Sequence, residues 1–172
     1  MTRLVEEFEN NIGQHLEPHR TEWMIWDNEL KFAGSIDMTF INDDGTIEIY
    51  DWKRSVGIKK ENSWQSSITP CISHLPDCNF YHYSLQLNTY KALLEKNYNV
   101  KIKGMYLVCL HPNKSRYERI KVPNLPQEVA ELFEKLKKIY EDLKIKNFEI
   151  IVLKNDKHSI DTNFLFKNFV YK

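Results

Sequence analysis

The chain has little cysteine, little glycine, no excess of either charge and no long apolar run, and each shortage narrows what it can be. Three cysteines among 172 residues, Cys71, Cys78 and Cys109, make an odd count that builds no disulfide scaffold and fits a reducing compartment. Five glycines and six prolines exclude collagen-like and low-complexity classes. The 24 Lys and Arg balance 24 Asp and Glu, so neither a polybasic arm nor an acidic tail dominates. No stretch approaches the roughly 18 consecutive apolar residues of a membrane span, and Met1 to Glu9 lack the apolar run of a signal peptide. The expectation is a soluble, intracellular protein, cytoplasmic or nuclear, with no membrane partner.

What is present is enough apolar and aromatic content, 42% and 13% of residues, for one globular core. A chain of this length is too short for two ordinary domains, so a single domain over residues 1–172 is expected. The charge is uneven along it. Residues 1–51 hold 12 Asp and Glu against 3 Lys and Arg, leaving 12 acids and 21 bases for residues 52–172, a split of −9 and +9. That suits a carboxylate cluster that binds cations beside a surface that holds a polyanion. An amphipathic helix and acidic loops would give the same tally.

Leu4, Val5, Phe8, Ile12 and Leu16 recur at helical spacing and predict a first helix over Leu4–Leu16, stopped by Pro18. Glu22–Trp26, Phe32–Ile41 and Thr46–Lys53 read as a meander of three strands. Val56–Phe80, with Pro70 and Pro76, reads as a long irregular loop of the functional kind. A helix over Tyr83–Asn97, a buried strand over Val100–Leu110 and a further strand over Tyr117–Val122 follow. Gln127–Leu143 reads as a helix started by Pro126, and Phe148–Leu153 and Asn163–Tyr171 as closing strands. The order predicts an α/β (α+β) fold, a mixed central sheet flanked by helices.

One hairpin carries chemistry. A three-residue loop Asp43-Asp44-Gly45, with Gly45 left-handed at its third position, sets Asn42 opposite Thr46, Ile41 opposite Ile47, Thr39 opposite Ile49 and Asp37 opposite Asp51. The two carboxylates then stand about 5 Å apart at Cβ. Like charges so placed repel, and a divalent cation resolves the repulsion. Side chains alternate along a strand, so Lys53 shares the face of Asp51 and reaches a bound phosphate or water. Hard oxygen ligands with water still attached describe a magnesium or manganese site of the sort that hydrolyses phosphodiesters. An isolated D-x-K tripeptide is far more often incidental.

Its company changes that weighting. Gly34-Ser35-Ile36-Asp37, then Ile49-Tyr50-Asp51-Trp52-Lys53, then Gln86-Leu87-Asn88-Thr89-Tyr90 resemble, in order, the G-x-x-D, D/E-x-K and Q-x-x-x-Y motifs of the PD-(D/E)XK nuclease superfamily, in particular its RecB-like branch. The resemblance spans about residues 5–110 and implies a restriction-endonuclease-like core of order αβββαβ, here followed by a C-terminal helix and strands. It implies a DNase that cuts single strands or ends by water attack and leaves a 5′-phosphate. Carried over, Asp37 and Asp51 are the metal-binding acids, with the Trp52 carbonyl as a further ligand of one or two Mg²⁺ or Mn²⁺ ions. Lys53 positions the attacking water. Gln86 and Tyr90, four apart on one helical face, border the site and contact nucleic acid. The family also completes its metal site with an upstream His or Glu. Here His15 and Glu22 are equal candidates, with Glu9 and His19 behind them.

Other features fit less specifically. Some RecB-like nucleases carry an iron–sulfur cluster on four cysteines, which three cysteines cannot supply within one chain. Cys71, His74, Cys78 and His82 offer zinc-type ligands at a spacing that matches no established zinc pattern. Lys59, Lys60, Lys101, Lys103 and the lysines from Lys135 onward can contact phosphates or simply face solvent. Trp52, Trp64, Tyr81 and Tyr83 flank the proposed site and can stack unpaired bases. Two alternatives stand beside a DNase: an RNA endonuclease with the same site, and a noncatalytic nucleic-acid-binding or interaction module on the nuclease fold. A helicase, recombination or replication protein is the expected kind of partner.

Overall fold

The computed structural model describes residues 2–145. Helix α1 (Thr2–Asn11) is followed by a short 3-10 turn, Gly13–His15, and by three antiparallel strands, β1 (Glu17–Asp27), β2 (Phe32–Ile41) and β3 (Ile47–Lys53). After an irregular stretch interrupted by a 3-10 turn at Pro70–Ile72 come α2 (Asn79–Tyr98), β4 (Ile102–Cys109), β5 (Glu118–Lys121) and α3 (Pro126–Ile145). The five strands form one sheet in the order β1-β2-β3-β4-β5. Only β3 and β4 run parallel, as α2 crosses between them. Parallel neighbours require such a crossover because no tight turn can reverse the chain twice.

The two sheet faces are covered by different helices. Ile47 and Ile49 of β3 and Met105 and Leu107 of β4 pack with Leu87, Tyr90, Leu93 and Leu94 of α2. Tyr50 and Val108, of the opposite parity, pack with Leu4 and Phe8 of α1. Asp51 and Lys53 therefore lie on the α2 side. Helix α3 closes over α2 and the irregular stretch, where Leu125 and Leu132 meet Ile72, Leu75 and Leu85. Among the described residues, no helix is long and apolar enough to cross a membrane.

The hairpin between β2 and β3 has the expected register: Ile41 faces Ile47 and Thr39 faces Ile49. Gly45 is left-handed at φ 76°, and its N–H donates to the Asn42 carbonyl at 2.8 Å. The Asp44 carboxylate accepts the Thr46 N–H at 3.0 Å and so fastens the turn from within.

Three element boundaries differ from expectation. The first helix ends at Asn11 rather than Leu16, so His15 lies in the 3-10 turn. Strand β1 begins five residues early and contains Pro18. Proline is tolerated there because β1 is an edge of the described sheet and the pairing shifts register between Pro18 and Arg20. Helix α2 begins at Asn79, four residues before Tyr83. Its residues 84–90 are all buried, so the one-sided periodicity that marks a surface helix is weak there. The expected closing strands Phe148–Leu153 and Asn163–Tyr171 lie outside the described residues.

Gly45→Ala leaves open space around the new Cβ but forces an L-residue into the left-handed region. A loss of about 1 kcal/mol in urea unfolding is expected, with an unchanged m-value. A neutral substitution would mean that the turn relaxes without harm to the register.

Candidate active site

Beyond the register shift at Pro18 and Arg20, the β1–β2 ladder is interrupted at a second place. Thr21 pairs with Met38 and Trp23 with Ile36, whereas Glu22 and Asp37 between them do not pair, and Glu22 has φ 47°. The break reverses the alternation of β2. Ile36 packs on the α2 side, while Met38 and Phe40, of the same parity, pack on the α1 side. The β2–β3 ladder also ends here, at Met38 opposite Tyr50. One step beyond it, the Trp52 N–H donates to Asp37 Oδ2 at 2.9 Å, so a side chain takes over where the backbone pairing stops.

Asp51 lies beside this end of the ladder, 5% exposed. Lys53 Nζ stands 2.6 Å from Asp51 Oδ2, an ion pair by distance, yet that sealed oxygen completes no hydrogen bond of ordinary geometry. Burial pushes the Asp51 carboxyl up to about 6; the Lys53 ammonium opposes the rise and the Asp37 charge adds to it. On its far side the Lys53 ammonium lies over the Tyr83 ring, 4.2 Å from the centroid. A lysine clamped between a carboxylate and an aromatic face is held in one direction.

Gln86 and Tyr90 follow on α2. Gln86 Nε2 donates to the Tyr90 hydroxyl at 2.9 Å, and the two residues are 8% and 1% exposed. As placed, Tyr90 is a core residue joined to Gln86, and its ring offers no surface to a nucleic-acid strand. Lys59 and Lys60 are exposed on the stretch after β3. They lie close to the start of α2, where Phe80 N–H donates to the Lys59 carbonyl and Lys60 Nζ sits 5.7 Å from the Phe80 ring centroid. Trp64, 94% exposed, projects from a turn whose backbone N–H groups at Trp64 and Gln65 are held by Asn62 Oδ1.

The two candidates for a further ligand fall in different places. Glu22 is next to Asp37 across the broken rung, but its carboxylate accepts the Ser35 hydroxyl at 3.2 Å. His15 is exposed at the end of the 3-10 turn. Among the described residues, no three or more His, Cys, Asp or Glu side chains group as metal ligands. His74 pairs with Glu128 and His82 with Asp77. The Asp37 and Asp51 carboxylates, near enough for the charge of one to act on the other, are hard oxygens. That set fits a cation of the magnesium type, which commonly takes one or two carboxylates and keeps several waters.

A model of the PD-(D/E)XK nuclease superfamily matches residues 1–155. The chain belongs to that superfamily. Its helix, three strands, helix and strand, with the mixed sheet between helices, make the restriction-endonuclease-like fold. Nucleases of this superfamily generally use divalent metal ions. A solved structure of a candidate exonuclease from Eubacterium rectale is similar, at 12% identity and a TM-score of 0.50 over 87% of this chain. The chain spans 53% of the length of that protein, and the likeness is one of fold. The solved protein SSO0001 matches at 15% identity over 86% of this chain and 58% of its own, with a TM-score of 0.34. No curated protein is similar to the chain.

Two contacts were not foretold. The Trp52 N–H bond to Asp37 arises where two ladders end, which no local pattern marks. Tyr83 over Lys53 had a faint signal, because Tyr83, Gln86 and Tyr90 follow i, i+3, i+7 spacing on one helical face.

Asp51 also makes stability depend on pH in a definite direction. Its folded pKa is raised, so the folded chain holds a proton that the unfolded chain releases. The penalty for ionising Asp51 is absent below about pH 4 and complete above about pH 6. Asp51→Asn is therefore expected to unfold above wild type at pH 7.5 by about 1–3 kcal/mol, with the gap closing at pH 4. An asparagine variant less stable than wild type at pH 7.5 would overturn this account.

Proposed function

We propose that the chain is a metal-dependent deoxyribonuclease of the RecB-like kind, acting on single strands or ends. The observation that carries it is the buried Asp51 carboxylate, ion-paired to Lys53 at 2.6 Å and close enough to Asp37 to feel its charge. Two carboxylates facing one ammonium leave a net negative charge out of water. A cation would neutralise it and remove the penalty of burial.

Asp37, Asp51 and the Trp52 carbonyl are the ligands assigned to Mg²⁺ or Mn²⁺, with Glu22 and His15 as the two further candidates. Bound there, the ion supplies Lewis acidity toward the phosphodiester and makes a water more acidic. Asp37 holds the Trp52 backbone in place through its N–H, which fixes the adjoining peptide. Lys53 presents an ammonium to the attacking water and the scissile phosphate. Gln86, steadied by Tyr90, supports that side of the site from α2. Lys59 and Lys60 meet the strand's phosphates, and the exposed Trp64 suits an unpaired base.

The test is cleavage of end-labelled single- and double-stranded DNA and RNA in Mg²⁺, Mn²⁺ or EDTA. DNA cleavage that needs a divalent ion, and that falls by about 100-fold or more in Asp51→Ala, is expected. RNA cut in preference to DNA would move the assignment to a ribonuclease with the same site. No cleavage of any substrate, together with no Mn²⁺ binding by calorimetry, would leave a noncatalytic module and overturn the proposal.

A further inference from the structure

Among the described residues the ammonium of Lys53 has two partners, Asp51 and Tyr83, and only Asp51 is a group that a cation would compete for. Asp51 Oδ2 lies 2.6 Å from Nζ, but this carboxylate is also one of the ligands assigned to the cation. Once a cation draws on that carboxylate, its hold on Lys53 weakens and a flexible four-carbon side chain is free to turn away. The second partner does not compete for metal. Tyr83, half-buried on the second turn of α2, faces Nζ with its ring at 4.2 Å from the centroid.

We propose that Tyr83 is the positioning residue for Lys53, its ring face holding the ammonium at the site when the Asp51 carboxylate is engaged by a cation. The catalytic part of this role rests on the nuclease reading above; the contact itself does not. Tyr83 lies three residues before Gln86 on the same helical face, so α2 contributes a run of three residues, Tyr83, Gln86 and Tyr90, along the side of the sheet that carries Asp51 and Lys53. The ring face is the working part, because a cation over a ring is held by the π quadrupole rather than by the hydroxyl. Phenylalanine should substitute and leucine should not.

Two measurements decide it. By NMR, the Lys53 ε-methylene protons should be shifted upfield by the ring, the shift should persist on adding Mg²⁺, and it should vanish in Tyr83→Leu but remain in Tyr83→Phe. In single-turnover cleavage of the preferred substrate, Tyr83→Leu should lower the rate constant by about 2- to 30-fold, the range a cation–π contact supports. Strand affinity, measured in Ca²⁺ under conditions that give no turnover, should be unchanged, and Tyr83→Phe should stay within about threefold of wild type. In a Lys53→Met background, Tyr83→Leu should add nothing further.

A loss that sits in strand affinity, or that persists without Lys53, would make Tyr83 a base-stacking surface and overturn the proposal. So would a Lys53 resonance that loses its shift when Mg²⁺ is added. If the wild type cleaves nothing, the nuclease reading fails by itself, while the resonances still decide whether Tyr83 holds Lys53.

Discussion

A carboxylate kept out of water beside a second carboxylate is unfavourable, and the arrangement of this chain turns on tolerating it. Asp51 lies on a central strand, between β2 and β4, on the face covered by α2. Nothing in a sheet of Ile, Leu, Met and Val stabilises a negative charge at that position. Burial raises its pKa for that reason, and Lys53 offsets only part of the cost. The rest must come from elsewhere in the fold, which supplies it through two apolar layers. Tyr50 and Phe8 pack on one side of β3, and Ile49, Leu87 and Leu93 on the other. A divalent ion, as proposed above, would be a partner for the carboxylate that no side chain of the described residues replaces.

The same constraint explains why the backbone is irregular around Asp37. A continuous ladder would give Trp52 a backbone acceptor and leave Asp37 facing Asp51 as an ordinary cross-strand pair of like charges, which is destabilising. Ending the ladder at Met38 and Tyr50 instead lets the Asp37 carboxylate accept the Trp52 N–H. One oxygen of the pair is thereby given a donor. The broken rung at Glu22, with its left-handed backbone, is the corresponding distortion in β1. Strain of that kind persists only where surrounding structure holds it, and such positions cluster at functional sites.

How far the sequence foretold this varies with the range of the interactions. The β2–β3 register was legible because it follows from one local fact, the left-handed Gly45 three residues into a turn. The residue order of the α1–β4 core was legible from periodicity. The start of α2 was not, because Asn79–His82 follow an N-cap, Cys78, that makes no side-chain capping hydrogen bond and so carries no start signal. The further ligand was not legible either. His15 and Glu22 are both close to the right place along the chain, but which reaches Asp37 and Asp51 depends on side-chain directions set by a break in the ladder. That break involves residues on two strands, and neither strand carries a glycine or proline at it to mark it.

Helix α2 is where the fold and the candidate chemistry become hard to separate. The Gln86–Tyr90 bond is buried, and Tyr90 belongs to the same cluster as Ile49 and Leu107, the neighbours of Asp51 on the sheet. Both residues stand on α2, so their bond orders the two side chains along the helix, while the burial of the Tyr90 ring among Ile49 and Leu107 is what seats α2 against the sheet. Rotation of α2 about its axis would carry Tyr83 off Lys53, since all three residues share one face. The motif spacing that reads as a nucleic-acid contact therefore has a second physical use. It sets the angle at which α2 presents its aromatic face to the only ammonium that pairs with Asp51 among the described residues.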